Sequence, residues 1–378
     1  MNDLPEFRLE TYLGLWEFAA RHHMTASDAQ TMTIRDVLAL AGPAAVDRFL
    51  DEPLSYTQPY GARDLREAIA ATYDTADPED VLCFAGAEEG LYAFYRVLLD
   101  PGAHAIVVTP NYQSAESVPL SICDVTGVPL EADQNWTLDI GRVAAAIRPN
   151  TRVISINFPH NPTGKILERD RFEALVELCR HHGIWLFSDE VYRLIERDPA
   201  IRLPQAFDAY ERGVSLNVMS KAYGLPGLRI GWIACHDRDL LERMVRYKHY
   251  LSICNSGPGE RLAVAALGGA AAILDRTRAI ARAGLAMTQA FLSEFPHLFE
   301  SYVPDGGIVF YPRYKGADGV EAFARRLVDE AGVVVLPPSV YASALTPTPT
   351  DRFRMGYGRN HIEEGLAAMR AHLLRNYG

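Results

Sequence analysis

The sequence predicts an α/β protein, a mainly parallel sheet with helices on both faces, followed by a smaller α+β unit. Three observations carry this. First, five short runs are nearly continuous in apolar residues: 104–109 (HAIVVT), 152–157 (RVISIN), 184–188 (IWLFS), 214–219 (VSLNVM) and 230–235 (IGWIAC). Strands buried on both faces read this way, because neither face needs polar residues. Second, longer segments with helical spacing lie between them, such as 168–182 (ERDRFEALVELCRHH). That alternation marks parallel strands joined by crossover helices. Third, the chain has 378 residues, 48% apolar and 22% charged. This is enough for two or three units with substantial cores, and too apolar for disorder.

Taken in order, residues 1–45 hold two helical patterns and no obvious strand, and are expected to pack on the small unit. Residues 46–285 carry the five runs and form the large unit. No proline occurs between Pro258 and Pro296, so 259–295, rich in Ala, Leu and Arg, reads as one long or broken helix. Gly268-Gly269 is the expected kink. From 286 to 378 the chain changes character. Segments 303–312 (VPDGGIVFYP), 333–336 and 352–355 read as short strands between helices.

Composition excludes several function classes. Lys plus Arg is 37 and Asp plus Glu is 48, a net charge of −11, with no long basic block. That argues against a nucleic-acid binder. The longest apolar stretch, 262–274, is bounded by Arg261 and Asp275 and is too short to span a bilayer. The first residues lack the basic and apolar regions of a signal peptide. Five scattered cysteines form no CxxC, which argues against a zinc ribbon or a disulfide framework. The expectation is a cytoplasmic globular protein with no membrane, nucleic-acid or metal partner.

In open α/β sheets, ligands sit beyond the carboxyl ends of the strands. After HAIVVT comes Pro110-Asn111-Tyr112, and after RVISIN comes Phe158-Pro159-His160-Asn161-Pro162-Thr163-Gly164. After IWLFS comes Asp189-Glu190-Val191-Tyr192, and after VSLNVM comes Ser220-Lys221-Ala222-Tyr223-Gly224. An aromatic ring, an amide, a carboxylate, a phenol and a lysine thus converge on one edge. A helix cap, a turn or a core aromatic would account for any one alone. Together they suit pyridoxal phosphate. It needs a lysine amine, an acid at its ring nitrogen, donors at its ring oxygen, a stacking face and an anion site.

The segment SKAYGLPGLRIG at 220–231 resembles the lysine signature of the class I/II aminotransferases, which are fold type I pyridoxal-phosphate enzymes. Asn161-Pro162-Thr163-Gly164 and Asp189-Glu190-Val191-Tyr192 resemble two further motifs of that family, in the same order. Within it, the FPHNPTG, MSKAYGLPGLR and PDGGIVFYPR segments resemble the branch that includes capreomycidine synthase-like enzymes. The resemblance implies a seven-stranded, mainly parallel sheet in the large domain, plus a smaller α+β domain.

It also implies roles. Lys221 forms the Schiff base and shuttles a proton. Asp189 faces the pyridine nitrogen, and Tyr192 and Asn161 reach the ring oxygen. Tyr112 stacks on the ring. Gly86, Ala87 and Glu88 in a Gly-Ala turn, with Ser220 and Arg229, hold the phosphate, the Glu88 side chain turned away from it. Tyr56, with Tyr60 as a local competitor, reaches the phosphate of a neighbouring subunit, which makes the enzyme a homodimer with shared sites. Arg354 clamps the substrate carboxylate beside Asn161; a structural ion pair is the alternative. Arg352, on the opposite strand face, is expected in solvent. Two departures stand out: Val218 where the family has a second hydroxyl, and Pro337-Pro338 where many relatives have Pro-Gly.

The implied activity is transfer of an amino group from an α-amino acid to a 2-oxo acid. The alternatives are a lyase or cyclodehydratase acting on a hydroxylated arginine-like amino acid, and an aminotransferase-like ligand sensor. The sensor would carry a helix-turn-helix module, of which this sequence shows no sign. The segments 9–15, 25–33 and 252–256 are the expected substrate lining.

Overall fold

A computed structural model describes residues 3–377. The first part of the chain holds α1 (Arg8–Trp16), β1 (His22–His23), α2 (Ile34–Ala41), α3 (Pro43–Leu50), α4 (Arg63–Ala70), β2 (Val81–Phe84) and α5 (Ala87–Leu98). The centre follows with β3 (His104–Thr109), α6 (Ser114–Leu120), β4 (Asp124–Pro129), α7 (Ile140–Ala146), β5 (Thr151–Asn157), α8 (Arg169–His182), β6 (Trp185–Asp189), α9 (Ala206–Ala209), β7 (Gly213–Val218), β8 (Gly231–Cys235) and α10 (Arg238–Lys248). The remainder is α11 (Gly257–Gly268), α12 (Ala270–Ser293), β9 (Phe299–Glu300), β10 (Val309–Phe310), β11 (Arg313–Tyr314), α13 (Val320–Ala331), β12 (Val333–Val334), β13 (Met355–Gly356) and α14 (Ile362–Asn376).

The seven-stranded sheet has the order β2-β8-β7-β6-β5-β3-β4. Only β8 runs against its neighbours, pairing antiparallel with both β2 and β7. The five apolar runs are β3 and β5 to β8, to within a residue. Sequence reading missed β2, a run of only four residues, and β4, whose residues are mostly half-exposed at the sheet edge.

Helices cover both faces. On one, Leu91 and Phe94 of α5 and Met244 of α10 pack on Leu82, Phe187 and Leu216. On the other, Phe172, Leu175 and Cys179 of α8 pack on Ile154 and Leu186. Their spacing of three and four residues puts one stripe of α8 inward. Arg180, His181 and His182 sit at its negative end, and Gly183 stops it at φ 64°. Phe187 lies 4.6 Å from the Phe94 ring. Burial of one such side chain stabilises by roughly 1.5–3 kcal/mol.

The expected long helix is broken where Gly269 separates α11 from α12. The N-terminal segment does contain a strand, against expectation. β1 pairs in parallel with β12, His22 opposite Val333. Two residues are too few to show a period of two. This pairing brings the turn after β1 to the carboxyl edge of the main sheet. Among the described residues, no helix is long and apolar enough to cross a membrane.

Candidate active site

The carboxyl ends of β3, β5, β6 and β7 meet at one edge. A cavity there is lined by Tyr112, Asn157, His160, Phe187 and Asp189. Asn157 joins two strand ends: its amide donates to the Asp189 carbonyl at 2.9 Å and its Oδ1 accepts the Asn161 N–H at 2.9 Å. His160, buried between Pro110 O and Thr163 Oγ1 at 2.9 Å each, stays neutral, its pKa pushed down to about 4 by burial.

Lys221 Nζ donates to Ser27 Oγ at 3.0 Å. Its pKa lies below the ordinary lysine value, first because of burial; Asp28 and Asp189 oppose that shift and Arg354 adds to it. Burial likewise raises Asp189 to about 6, against the Val191 N–H bond and Lys221. One Asp189 oxygen accepts that N–H at 3.2 Å, so the residue caps a turn and faces the lysine at once. Tyr192 is buried and spends its one proton on the Ser27 carbonyl at 3.1 Å. Tyr112 donates to Glu10 Oε1 at 2.7 Å, and its ring stands 5.1 Å from Phe7.

Arg354 is 1% exposed and has no carboxylate partner. Nη1 donates to Tyr341 Oη at 2.7 Å and Asn161 Oδ1 at 3.1 Å, and Nη2 to Thr25 O at 2.8 Å. Nε has no partner. The structural ion pair considered for Arg354 is absent. A buried guanidinium held only by neutral groups retains its full demand for an anion.

Gly86 precedes α5 at φ 101°, and a Cβ there would come within 2.5 Å of Arg229 Nη2. Only glycine permits both that backbone and that approach. Arg229 is exposed and bonds only to carbonyls, Ala85 and Pro226, at 3.3 Å. With the first-turn amides of Ala87 and Glu88 it could hold an anion. Ser220 is buried just before Lys221, and Val218 belongs to the core.

The Glu88 carboxylate accepts from Ser114 Oγ at 2.9 Å, while Glu89 takes the cap of Ala85 N. The cleft leaves Glu88 accessible, yet desolvation by the surrounding protein raises it to about 7. Here the structure corrects one expectation: Arg352 is not in solvent. It lies over Trp136 at 5.1 Å and donates to Tyr311 O at 3.2 Å, because the strand's far face is covered too. In segment 252–256 the Asn255 carbonyl accepts from Thr57 Oγ1 at 2.8 Å.

Tyr56 is 87% exposed and stands apart from the cluster within this chain. Tyr60 is engaged locally under Arg66. Sequence reasoning missed Tyr341, and within 25–33 it did not single out Thr25, Ser27 or Asp28. Pro338 starts the 3₁₀ turn that delivers Tyr341, so the Pro-Pro departure was the available signal.

The chain is 29% identical to capreomycidine synthase of Streptomyces vinaceus over 371 residues, 97% of this chain and 93% of that one. It is 32% identical to the arginine–pyruvate transaminase AruH of Pseudomonas aeruginosa, over 83% of this chain and 80% of that one. A crystal structure of a PLP-dependent aminotransferase from Streptococcus suis superposes with a TM-score of 0.92 at 27% identity, covering 99% of both chains. Residues 22–369 match the family described as aminotransferase class I and II. Pyridoxal phosphate is the cofactor this implies. The residues fit it: the glycine-lined cradle under Arg229, a lysine with a depressed pKa and a buried acid converge on one cleft. The chain belongs to the class I and II aminotransferase family, the pyridoxal-phosphate-dependent enzymes of fold type I.

Proposed function

We propose that the protein moves the amino group of an α-amino acid to a 2-oxo acid, with Lys221 as the catalytic amine. The carrying observation is the pairing of an under-partnered lysine with a buried, carboxylate-free Arg354 across one cleft. When bound, pyridoxal phosphate supplies an aldehyde for the amine and a ring that accepts electrons. Asp189 holds the proton at the ring nitrogen. Lys221, whose amine burial makes easier to deprotonate, takes the proton from the substrate Cα. Arg354 orients the α-carboxylate in a two-pronged contact. Asn161 Oδ1 is occupied by Arg354 and Tyr341, which would leave Nδ2 to donate to the cofactor's ring oxygen. Gly86, Ala87, Glu88 N–H, Ser220 and Arg229 hold the phosphate, and Tyr112 covers the ring.

A homodimer completes the site in this reading, with Tyr56 reaching the partner's phosphate. Leu50, Leu54, Tyr56, Tyr250 and Ile253 are all half or more exposed. The two segments that carry them are tied by Lys248 donating to Pro59 O at 2.7 Å. So large an apolar surface fits a second copy.

The similarity to capreomycidine synthase over nearly the whole chain favours a second reading, elimination with ring closure. One turnover without an oxo acid separates them. Transamination leaves the cofactor as the amine and releases a keto acid. Elimination returns the aldehyde absorbance while a cyclic or unsaturated product accumulates, and that result would overturn transamination.

A further inference from the structure

The Tyr341 hydroxyl accepts from Arg354 Nη1 at 2.7 Å and donates to Asn161 Oδ1 at 3.1 Å, and Nη1 also donates to Oδ1 at 3.1 Å. The directions are forced. A guanidinium only donates and an amide oxygen only accepts, so the one phenol proton goes to Asn161. The three polar atoms close a triangle between side chains that are 2%, 1% and 7% exposed. Burial, opposed by Arg354, raises the phenol above the ordinary tyrosine value, so it keeps that proton.

The backbone delivers hydroxyl and guanidinium from one place. Arg354 N donates to Leu336 O at 2.9 Å, and Leu336 N donates to Arg354 O at 3.2 Å. Pro337, at φ −70°, and Pro338 then fix the entry to the turn Pro338–Tyr341, since a proline ring allows little else. Glu321 accepts from Ser339 N at 2.9 Å before the tyrosine, and Glu116 accepts from Ala344 N at 3.0 Å after it. The ring meets Tyr311 edge-on, with centroids 5.7 Å apart. A segment pinned on both sides thus sets down one hydroxyl, against Arg354 and Asn161.

An acid at this position would also hold the guanidinium, but it would neutralise it. A phenol supplies the acceptor without the charge. Arg354 is therefore fixed at Nη1 by Tyr341 and at Nη2 by Thr25 O, at 2.8 Å, with its charge unspent.

We propose that Tyr341 is a positioning residue for substrate recognition: its hydroxyl holds the Arg354 guanidinium in the orientation that takes an α-carboxylate. This rests on the reading that Arg354 takes that group.

The test measures binding to the holoenzyme. The probes are 2-methylalanine, 2-methylleucine, 2-methylaspartate and 2-methylornithine, which have no Cα proton to lose. Each is paired with the amine that remains when its α-carboxylate is removed. Dissociation constants come from the cofactor absorbance and from calorimetry. Tyr341→Phe keeps the ring and removes the hydroxyl. It should weaken every amino acid that binds by ~10-fold, the size of one hydrogen bond to a charged group, and leave the amines unchanged. Tyr311→Phe removes the neighbouring hydroxyl, which has no partner, and should change neither set. Unmoved amino-acid affinities would overturn the inference, and so would equal weakening of acids and amines or an equal loss in Tyr311→Phe. Arg354→Lys separates the two readings. If it weakens the amino acids alone while Tyr341→Phe does not, only this inference falls. If it leaves the amino acids as tightly bound as before, the assignment of Arg354 falls too.

Discussion

Lys248, fully buried, and Lys221, half-buried, divide the molecule into a region that is finished and a region with open donor directions. Lys248 is 0% exposed, and its three protons go to Pro59 O and Cys83 O at 2.7 Å and Asn255 Oδ1 at 3.1 Å. Asn255 in turn donates to Glu260 at 2.9 Å. An ammonium has three donors, so this one is saturated. It fastens the segment before α4 to the turn before α11. Lys221 has one acceptor, Ser27 Oγ. Burial lowers the pKa of both, as the leading cause. Desolvation alone therefore does not separate a structural lysine from a reactive one; the filling of its donor directions does. The arginines repeat the contrast. Arg261 has Glu52 at 2.9 Å and Asp64 beside it, whereas Arg354 has no acid partner among the described residues.

The largest effect expected from this contrast is at Lys221. Lys221→Ala should fold normally and lose at least ~10³-fold in turnover, as removal of a nucleophile does. Borohydride trapping followed by peptide mapping checks it, and an adduct on Lys248 or any other lysine would erase the distinction. Arg354→Lys keeps the charge and loses the fork, so KM for amino acids should rise ~10–100-fold with the cofactor spectrum unchanged. Equal reaction of amines lacking a carboxylate would break that assignment.

Lys248→Met should do the reverse of Lys221→Ala. Two carbonyls and an amide lose their donor, costing ~2–4 kcal/mol of stability, while the folded fraction keeps its cofactor band. Thermal melts followed by both signals separate the two regions.

The smallest effect is at Asp189. Burial raises its carboxyl from the ordinary 3.8 to about 6 in the fold. The folded state thus holds the proton more tightly, so ionisation costs stability as pH rises from 3.8 through about 6. In the protein stripped of cofactor, Asp189→Asn should raise Tm by ~1–3 °C above about pH 6 and change little near pH 4. With cofactor present, the same variant should lose turnover. A melt with no pH-dependent difference would show that Asp189 acts only as a cap.

The sequence by itself determined the strands β3 and β5 to β8 and the groups that follow them. Each strand is a local apolar run, and the rule that ligands collect at strand ends needs only the order of residues. Lys221, Asp189, Asn161 and Tyr112 were legible for that reason, and Arg229 and Arg354 through the resemblance. Tertiary structure decided the rest. Nothing local marks β8 as the antiparallel strand between β2 and β7, because pairing direction is a property of two segments. Ser27 meets Lys221 across 194 residues, and Thr25 meets Arg354 across 329. Those contacts exist because β1 pairs with β12 and swings the following turn over the sheet edge. Hydrophobic period reports which face of an element is buried, not what buries it. The partners that leave Lys221 with open donor directions therefore appear only when distant segments pack.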